Sequence, residues 1–342
     1  MKRVVVKKPG GHRALELVSE REPVVGAGQV RVRVRAAGVN YADCIVRMGH
    51  YEAAKGRYPL TPGFEFSGEV DGVTPGSGFK NGDRVVGITR FGGYASSVVV
   101  DPIQLWHAPE GWSFEQAAAF PAVHLTAWYA LHRAARVYDG ETVLVHSAAG
   151  GAGSALVQVA KAAKCRVVAV VGSAEKVHVP RALGADAVVV RDRAGSFWKA
   201  VDEAAPQGFD AVFDANGITT LRPGFDRLAP GGRLVVYGFA EMLTRGRDRA
   251  GWMGLAFGYA RVPRFNPFEL TRLNRSVSGF NVVYLFNKPE LASQAMGEML
   301  ALVGQAKLRP PTTTAFPVEK VAEAHKALES GATTGKLVLT FD

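Results

Sequence analysis

The sequence predicts an α/β protein of two domains, one a β-rich sheet of mostly antiparallel strands and the other a doubly wound parallel sheet. Three observations carry that expectation. The chain has 342 residues, more than one hydrophobic core usually organises. Short β-branched runs fill its first third, and from about Pro121 the pattern changes to strand, helix, strand. With 47% hydrophobic and 21% charged residues, the composition is that of a folded protein, and disordered or fibrous classes are excluded.

The runs RVVVKK, QVRVRVRAAGV, GFEFSGEVDGV, DRVVGIT and YASSVVV are separated by turn residues such as Lys80-Asn81-Gly82-Asp83, which reads as a small twisted sheet. Arg31, Arg33 and Arg35 alternate within the second run, as the wet face of a strand does. After Pro121 come TVLVHS, GGAGSALVQVAKAAK, CRVVAVVG, SAEKVHVPRALGA, DAVVVRD, SFWKAVDEAAP, FDAVFDANG, TLRPGFDRLAPGG and RLVVYGF. Alternation at this spacing builds right-handed βαβ units around a parallel sheet. A basic, aromatic-rich segment from Glu241 to Arg275 precedes one more strand, SVSGFNVVYL, a helix-rich tail and the closing strand GKLVLTF. The expected boundaries are residues 1–121 and 285–342 for the first domain and 122–284 for the second, with 241–275 inserted in it.

Lys and Arg number 41 against 31 Asp and Glu, for a net charge of +10, but no nucleic-acid-binding motif accompanies the charge, and no nucleic-acid partner is expected. Cys44 and Cys165 are the two cysteines, too few and too far apart for a disulfide scaffold or a four-thiolate zinc lobe. The apolar stretch Val4–Val6 is closed by two lysines and Pro9, so no signal peptide is read and a cytoplasmic location is expected. The most apolar segment, GWMGLAFGYA, is half the length of a bilayer span and bracketed by Arg249 and Arg261.

The strongest chemical signal follows TVLVHS, where Ala148-Ala149-Gly150-Gly151-Ala152-Gly153 opens into a helix with Leu156, Val159 and Ala160 at helical spacing. Glycines let backbone approach a pyrophosphate, and the helix N-terminus supplies free N–H groups and a positive dipole end. Ala149, Gly150, Gly151, Ala152 and Gly153 are therefore dinucleotide-binding candidates. The second strand ends Val170-Val171-Gly172-Ser173, without the carboxylate that commonly takes a ribose 2′-hydroxyl. Gly172, Ser173, Lys176 and Arg191 instead offer a hydroxyl and two cations to a 2′-phosphate, so the expected cofactor is NADP(H). Glu175 works against that set, and both cations also read as plain surface charges.

With AAGVNYADCIVRMGHY, PGFEFSGEV, NGDRVVGI, HLTAWYAL, the AAGGAG turn and GKLVL, the chain resembles the medium-chain dehydrogenase/reductase superfamily over nearly its whole length. It is most similar to the zinc-free quinone oxidoreductase branch. YGFAEMLTRG and the segment after it resemble the synaptic vesicle membrane protein VAT-1 homologue subfamily. The resemblance implies a GroES-like catalytic domain, a Rossmann-type nucleotide domain, and a homodimer paired through SVSGFNVVYL. Zinc-dependent relatives carry Gly-His-Glu where this chain has Gly63-Phe64-Glu65, so no metal site is expected.

From the same resemblance, Asn40, Tyr41, Asp43 and Tyr51 stand at the mouth of the nicotinamide pocket. Asn40 would contact nicotinamide or substrate, Tyr51 would close or polarise the pocket, and the Thr126 hydroxyl would face the nicotinamide. The residues also admit plainer readings: Asn40 shaping a turn, Asp43 capping the short helix Cys44–Met48, Tyr51 packing, and Thr126 bonding back to its own helix. Asn216 and Gly217, Gly238 and Phe239, and Phe280 join the cofactor side at strand ends, together with Lys336, which opens the last strand. Gly331–Lys336 is no Walker loop, since its glycines are too close and Leu337 replaces the Ser or Thr.

Pro180 is expected to kink or shorten the helix past Lys176, and Gly331 stands where some relatives place a phosphate-binding arginine. The segment 241–275, with Arg245, Arg247, Arg249, Arg261, Arg264, Arg272 and Arg275 among Trp252, Phe257, Tyr259, Phe265 and Phe268, fits a lid, a dimer interface or a membrane-surface contact. The sequence thus points to a zinc-independent, NADPH-dependent reductase acting on a quinone or an α,β-unsaturated carbonyl compound. An enoyl-thioester reductase and a non-enzymatic, membrane-associated nucleotide-binding protein are the alternatives.

Overall fold

The computed structural model describes residues 1–192, 195–242 and 258–342. In the first domain β1 (Lys2–Val6) and β2 (Leu15–Ser19) form a hairpin, and β3 (Val30–Val39), β4 (Glu65–Val73), β5 (Arg84–Ile88), β6 (Ser97–Val100) and β7 (Leu105–His107) form the main sheet. Alternation decides the register of β3: Val30, Val32 and Val34 are buried, while Arg31 and Arg35 pair across the wet face with Asp71 and Glu69 of β4, each at 2.8 Å. After β3 the chain turns into α1 (Tyr41–Met48).

The second domain carries β8 (Thr142–Val145), β9 (Arg166–Val171), β10 (Ala187–Val190), β11 (Phe209–Asp214), β12 (Leu228–Val236) and β13 (Ser276–Gly279). All pair in parallel, in the order β10-β9-β8-β11-β12-β13. Strand order reverses between β8 and β11, and such a switch point opens a crevice at the C-terminal strand ends. The buried runs of β8 and β9 are nearly all Val, Leu or Ala, as expected of parallel strands covered on both faces.

Two helical elements bridge the domains. After the short α2 (Phe114–Ala118) comes α3 (Pro121–Trp128), which packs on α4 (Gly151–Ala162), the helix that follows the glycine turn. The helix Pro289–Gly304 buries Ala292, Ala295, Met296 and Met299 in a cluster shared by Val86 and Ile88 of the first domain and Val143 and Leu156 of the second. The chain rejoins the first sheet at β14 (Thr313–Pro317) and β15 (Lys336–Thr340), the latter antiparallel to β3.

Two segments depart from the sequence expectation. SVSGFNVVYL is a strand only as far as Gly279; the Asn281 side chain accepts from the Val283 N–H, and a 3-10 turn over Val282–Asn287 then buries Val283 and Leu285. The helix expected over SAEKVHVPRALGA is split, as Pro180 requires, into a 3-10 turn Ala174–Lys176 and a short helix His178–Ala182. Arg245, Arg247, Arg249, Trp252 and Phe257 lie outside the described residues.

Candidate functional site

A cavity of about 930 Å³ runs between the domains across the switch point. At one end it is lined by the glycine turn. Ser147 holds a left-handed backbone (φ +54°), and Gly150 at the N-cap has no side chain to occupy the α4 terminus, so Gly151, Ala152 and Gly153 face the cavity. Gly153 is required by packing, because a Cβ there would lie 2.2 Å from the Ser147 carbonyl oxygen. A Cβ on Gly172, at the tip of β9, would meet nothing within 4 Å. Unblocked helix N–H groups, two glycines and space beside them fit a dinucleotide pyrophosphate.

Beside Gly172 the cavity is lined by Lys176 and Arg191. Lys176 Nζ donates to the carbonyls of Gly331 (2.6 Å) and Thr333 (2.9 Å), and Arg191 lies 3.6 Å from Glu241. Both cations therefore stand on the cavity wall beside the tip of β9. Ser173 does not line the cavity: its hydroxyl bonds the Glu175 carboxylate and holds that acid below its usual range. Ser173 is therefore not among the residues that line the cavity, and the Glu175 carboxylate it bonds keeps its negative charge.

The other end gathers residues from both domains. Tyr51 is buried, its hydroxyl donates to Asn281 Oδ1 at 3.0 Å, and its ring meets Phe64 edge-on at 5.7 Å. Burial, the largest influence on its hydroxyl, pushes the pKa upward. Asn40 Nδ2 donates to Glu65 Oε1 at 2.9 Å, and Lys336 Nζ donates to Asn40 Oδ1. Thr126 lines the cavity while its hydroxyl bonds back to the Ala122 carbonyl at 2.7 Å. Asn216, Gly238, Phe239 and Phe280 also line it; the Asn216 amide oxygen accepts from Ser147 Oγ at 2.8 Å.

Asp43 lies behind the cavity wall. It is fully buried and absent from the lining, and its carboxylate accepts the N–H groups of Asn40 and Gly63, each at 2.8 Å. It takes the N-cap N–H at the start of α1 and ties the Asn40 loop to the turn at Gly63. Desolvation pushes its pKa up to about 7, against the opposing pull of those N–H bonds, Lys336 and Tyr94. These two N–H bonds tie the Asn40 loop in place from beneath the cavity.

Glu65 was absent from the sequence candidates, although a carboxylate inside the apolar run GFEFSG is a signal that something must pair with it. It is fully buried, 2.6 Å from Lys336 Nζ, and accepts the Ala122 N–H at the start of α3 at 2.7 Å. Val262, Pro263 and Phe265, from the described part of the inserted segment, also line the cavity. Elsewhere Cys44, His325 and Glu329 place ligand atoms within 4.8 Å of one another. The fully buried Arg47 guanidinium stands among them, 2.8 Å from Glu329 and 3.4 Å from His325 Nδ1, so that cluster already contains its cation.

Residues 26–110 match the alcohol dehydrogenase GroES-like domain family, and residues 183–339 match the zinc-binding dehydrogenase family. The human synaptic vesicle membrane protein VAT-1 homolog is 33% identical over 96% of this chain and 84% of its own length. The chain belongs to the quinone oxidoreductase and VAT-1 branch of the medium-chain dehydrogenase/reductase superfamily. The quinone oxidoreductase of Thermus thermophilus, solved also with NADPH, is similar at 36% identity with a TM-score of 0.82 over all of both chains. The Escherichia coli quinone oxidoreductase complexed with NADPH gives 26% and 0.85, again over all of both. Within this family the chain is an oxidoreductase by its relatives, with a GroES-like domain and a Rossmann-type sheet.

Proposed function

We propose that the protein is an NADPH-dependent reductase of quinones or α,β-unsaturated carbonyl compounds. The observation that carries this reading is one continuous cavity, lined by an open helix N-terminus, two cations, Asn40, Tyr51 and Phe64, with the Lys336 side chain running from beside Gly151 to Asn40. The NADPH complexes of the Thermus and Escherichia relatives support the choice of cofactor.

The turn Ala149–Gly153 would hold the pyrophosphate, Lys176 and Arg191 the 2′-phosphate, and Asn216, Gly238, Phe239 and Phe280 the nucleoside and nicotinamide side. When bound, the reduced nicotinamide supplies hydride. Asn40 and Lys336 offer N–H donors at the end where an acceptor oxygen gains negative charge, and electrostatic help of this kind stands in for a Lewis acid. Tyr51 and Phe64 give that end an apolar wall that favours a planar, conjugated acceptor and holds it in place. Phe64 fills the position of a zinc-ligating histidine in zinc-dependent relatives, so the mechanism proposed is metal-independent. Val262, Pro263 and Phe265 favour a lid role for residues 258–275, the described later part of the inserted segment.

We also propose a homodimer through β13, which among the described residues ends the parallel sheet. Among the described residues no helix is long and apolar enough to cross a membrane.

The test is fluorescence titration with NADPH and NADH, then absorbance of the nicotinamide band on adding 9,10-phenanthrenequinone. Preferential NADPH binding followed by oxidation is the expected result. Binding without oxidation across quinones and enals would sink the reductase reading.

A further inference from the structure

We infer that the buried pair Glu65–Lys336 is a polarity lock that fixes which way round the Asn40 amide points, and that Glu65 is thereby a positioning residue of the acceptor end. The inference rests on the reductase reading of the cavity and adds to it the group that orients its donor.

An amide side chain can be turned over with little change of shape, so its orientation is decided by its partners. Asn40 has two, and they are opposite charges: the Glu65 carboxylate lies 2.9 Å from Nδ2, and the Lys336 ammonium meets Oδ1. Turning the amide over would set its oxygen against a carboxylate and its NH2 against an ammonium. Both charges are buried, Glu65 at 0% and Lys336 at 4% exposure, where an electrostatic preference is least screened. The second Nδ2 hydrogen and the second Oδ1 lone pair remain for a ligand in the cavity that Asn40 lines.

The surrounding chain is built to hold the carboxylate. Gly38 of β3 leaves the slot, since a Cβ there would lie 2.2 Å from Glu65 Oε1. The Ala122 N–H, at the positive end of α3, takes Oε2 at 2.7 Å. Glu65 thus joins β4, the loop carrying Asn40, the first strand residue of β15 and the helix carrying Thr126.

A mere scaffold and a lock differ when both charges are removed. Glu65→Gln and Lys336→Met each leave one buried charge without its partner, and each should lower the melting temperature by several degrees. The double variant Glu65→Gln/Lys336→Met has no unpaired charge and should recover most of that loss. In it a neutral carboxamide replaces the carboxylate facing Asn40, with no ammonium opposite, and the Asn40 amide is free to turn over.

The lock predicts that kcat in the double variant falls about tenfold or more below that of Lys336→Met, which loses the lysine donor but keeps the carboxylate that orients Asn40, despite the recovered melting temperature. It further predicts that Asn40→Ala, severe in the wild-type background, costs little more in the double variant. A double-variant kcat no lower than that of Lys336→Met, or a full additional loss from Asn40→Ala, would overturn it. If the wild type binds NADPH yet reduces no acceptor, the reductase reading alone falls. The lock is then read on NADPH affinity, which should remain about tenfold weak in the stable double variant; wild-type affinity there would overturn it.

Discussion

Lys176 has two demands on one ammonium group. It is bonded to the carbonyls of Gly331 and Thr333 and lines the cavity beside Arg191. Charged hydrogen bonds are worth about 1.5–3 kcal/mol each, so Lys176→Ala with Arg191→Ala should weaken NADPH by at least tenfold more than NADH in a fluorescence titration. Equal weakening of the two would mean that the phosphate is read elsewhere. Tyr51→Phe is a finer change. It removes the 3.0 Å bond to Asn281 but keeps the ring against Phe64. If the hydroxyl polarises the acceptor, kcat falls by about tenfold or more with NADPH affinity unchanged; a rise in acceptor KM alone would make Tyr51 a wall.

The glycine turn and helix α4 were legible because their signal is local. A strand, glycines in series and a helix with buried Leu156, Val159 and Ala160 follow one another directly in the chain. That local packing yields its own prediction. Gly153→Ala would drive a Cβ to 2.2 Å from the Ser147 carbonyl, whereas Gly172→Ala enters open space. Gly153→Ala should therefore lower both melting temperature and NADPH affinity, while Gly172→Ala should leave the melting temperature within a degree or so of the wild type and affect only the cofactor; a calorimetric scan with a binding titration separates them. What the sequence hid is non-local or directional. Glu65 meets partners 25 and 57 positions away and a lysine near the other end of the chain, and no periodicity encodes such a meeting. The motifs at Asp43 and Ser173 were visible, but where each side chain turns is settled by nearby partners, backbone N–H groups for Asp43 and the Glu175 carboxylate for Ser173. In SVSGFNVVYL, a run of β-formers reads as strand until the Asn281 side chain bonds ahead to Val283 and ends it.

The two domains are held across the cleft by polar ties as well as by the shared apolar cluster: Gly335 N–H to the Ala149 carbonyl at 2.9 Å, Lys176 to the 331–333 loop, and Tyr51 to Asn281. Stability of the assembled chain then depends on buried titratable groups near that cleft, and two of them oppose each other. Asp43, raised by desolvation from 3.8 to about 7, holds its proton more tightly folded than unfolded, so its contribution is lost as pH rises from about 4 to 7. His124, stacked on Phe120 and fully desolvated, is lowered from 6.5 to about 4. Below pH 6.5 the unfolded chain takes up a proton that folded His124 refuses, so this contribution is lost as pH falls toward 4. At 1.36 kcal/mol per pKa unit, the His124 effect over that window is about 3 kcal/mol. His124→Leu removes it and leaves the Asp43 slope exposed. Relative to the wild type, the variant should gain stability steadily as pH is lowered from 6.5 to 4, read as a growing difference in melting temperature. Parallel curves for the two proteins across that window would show that His124 titrates in the folded chain as it does in the unfolded one.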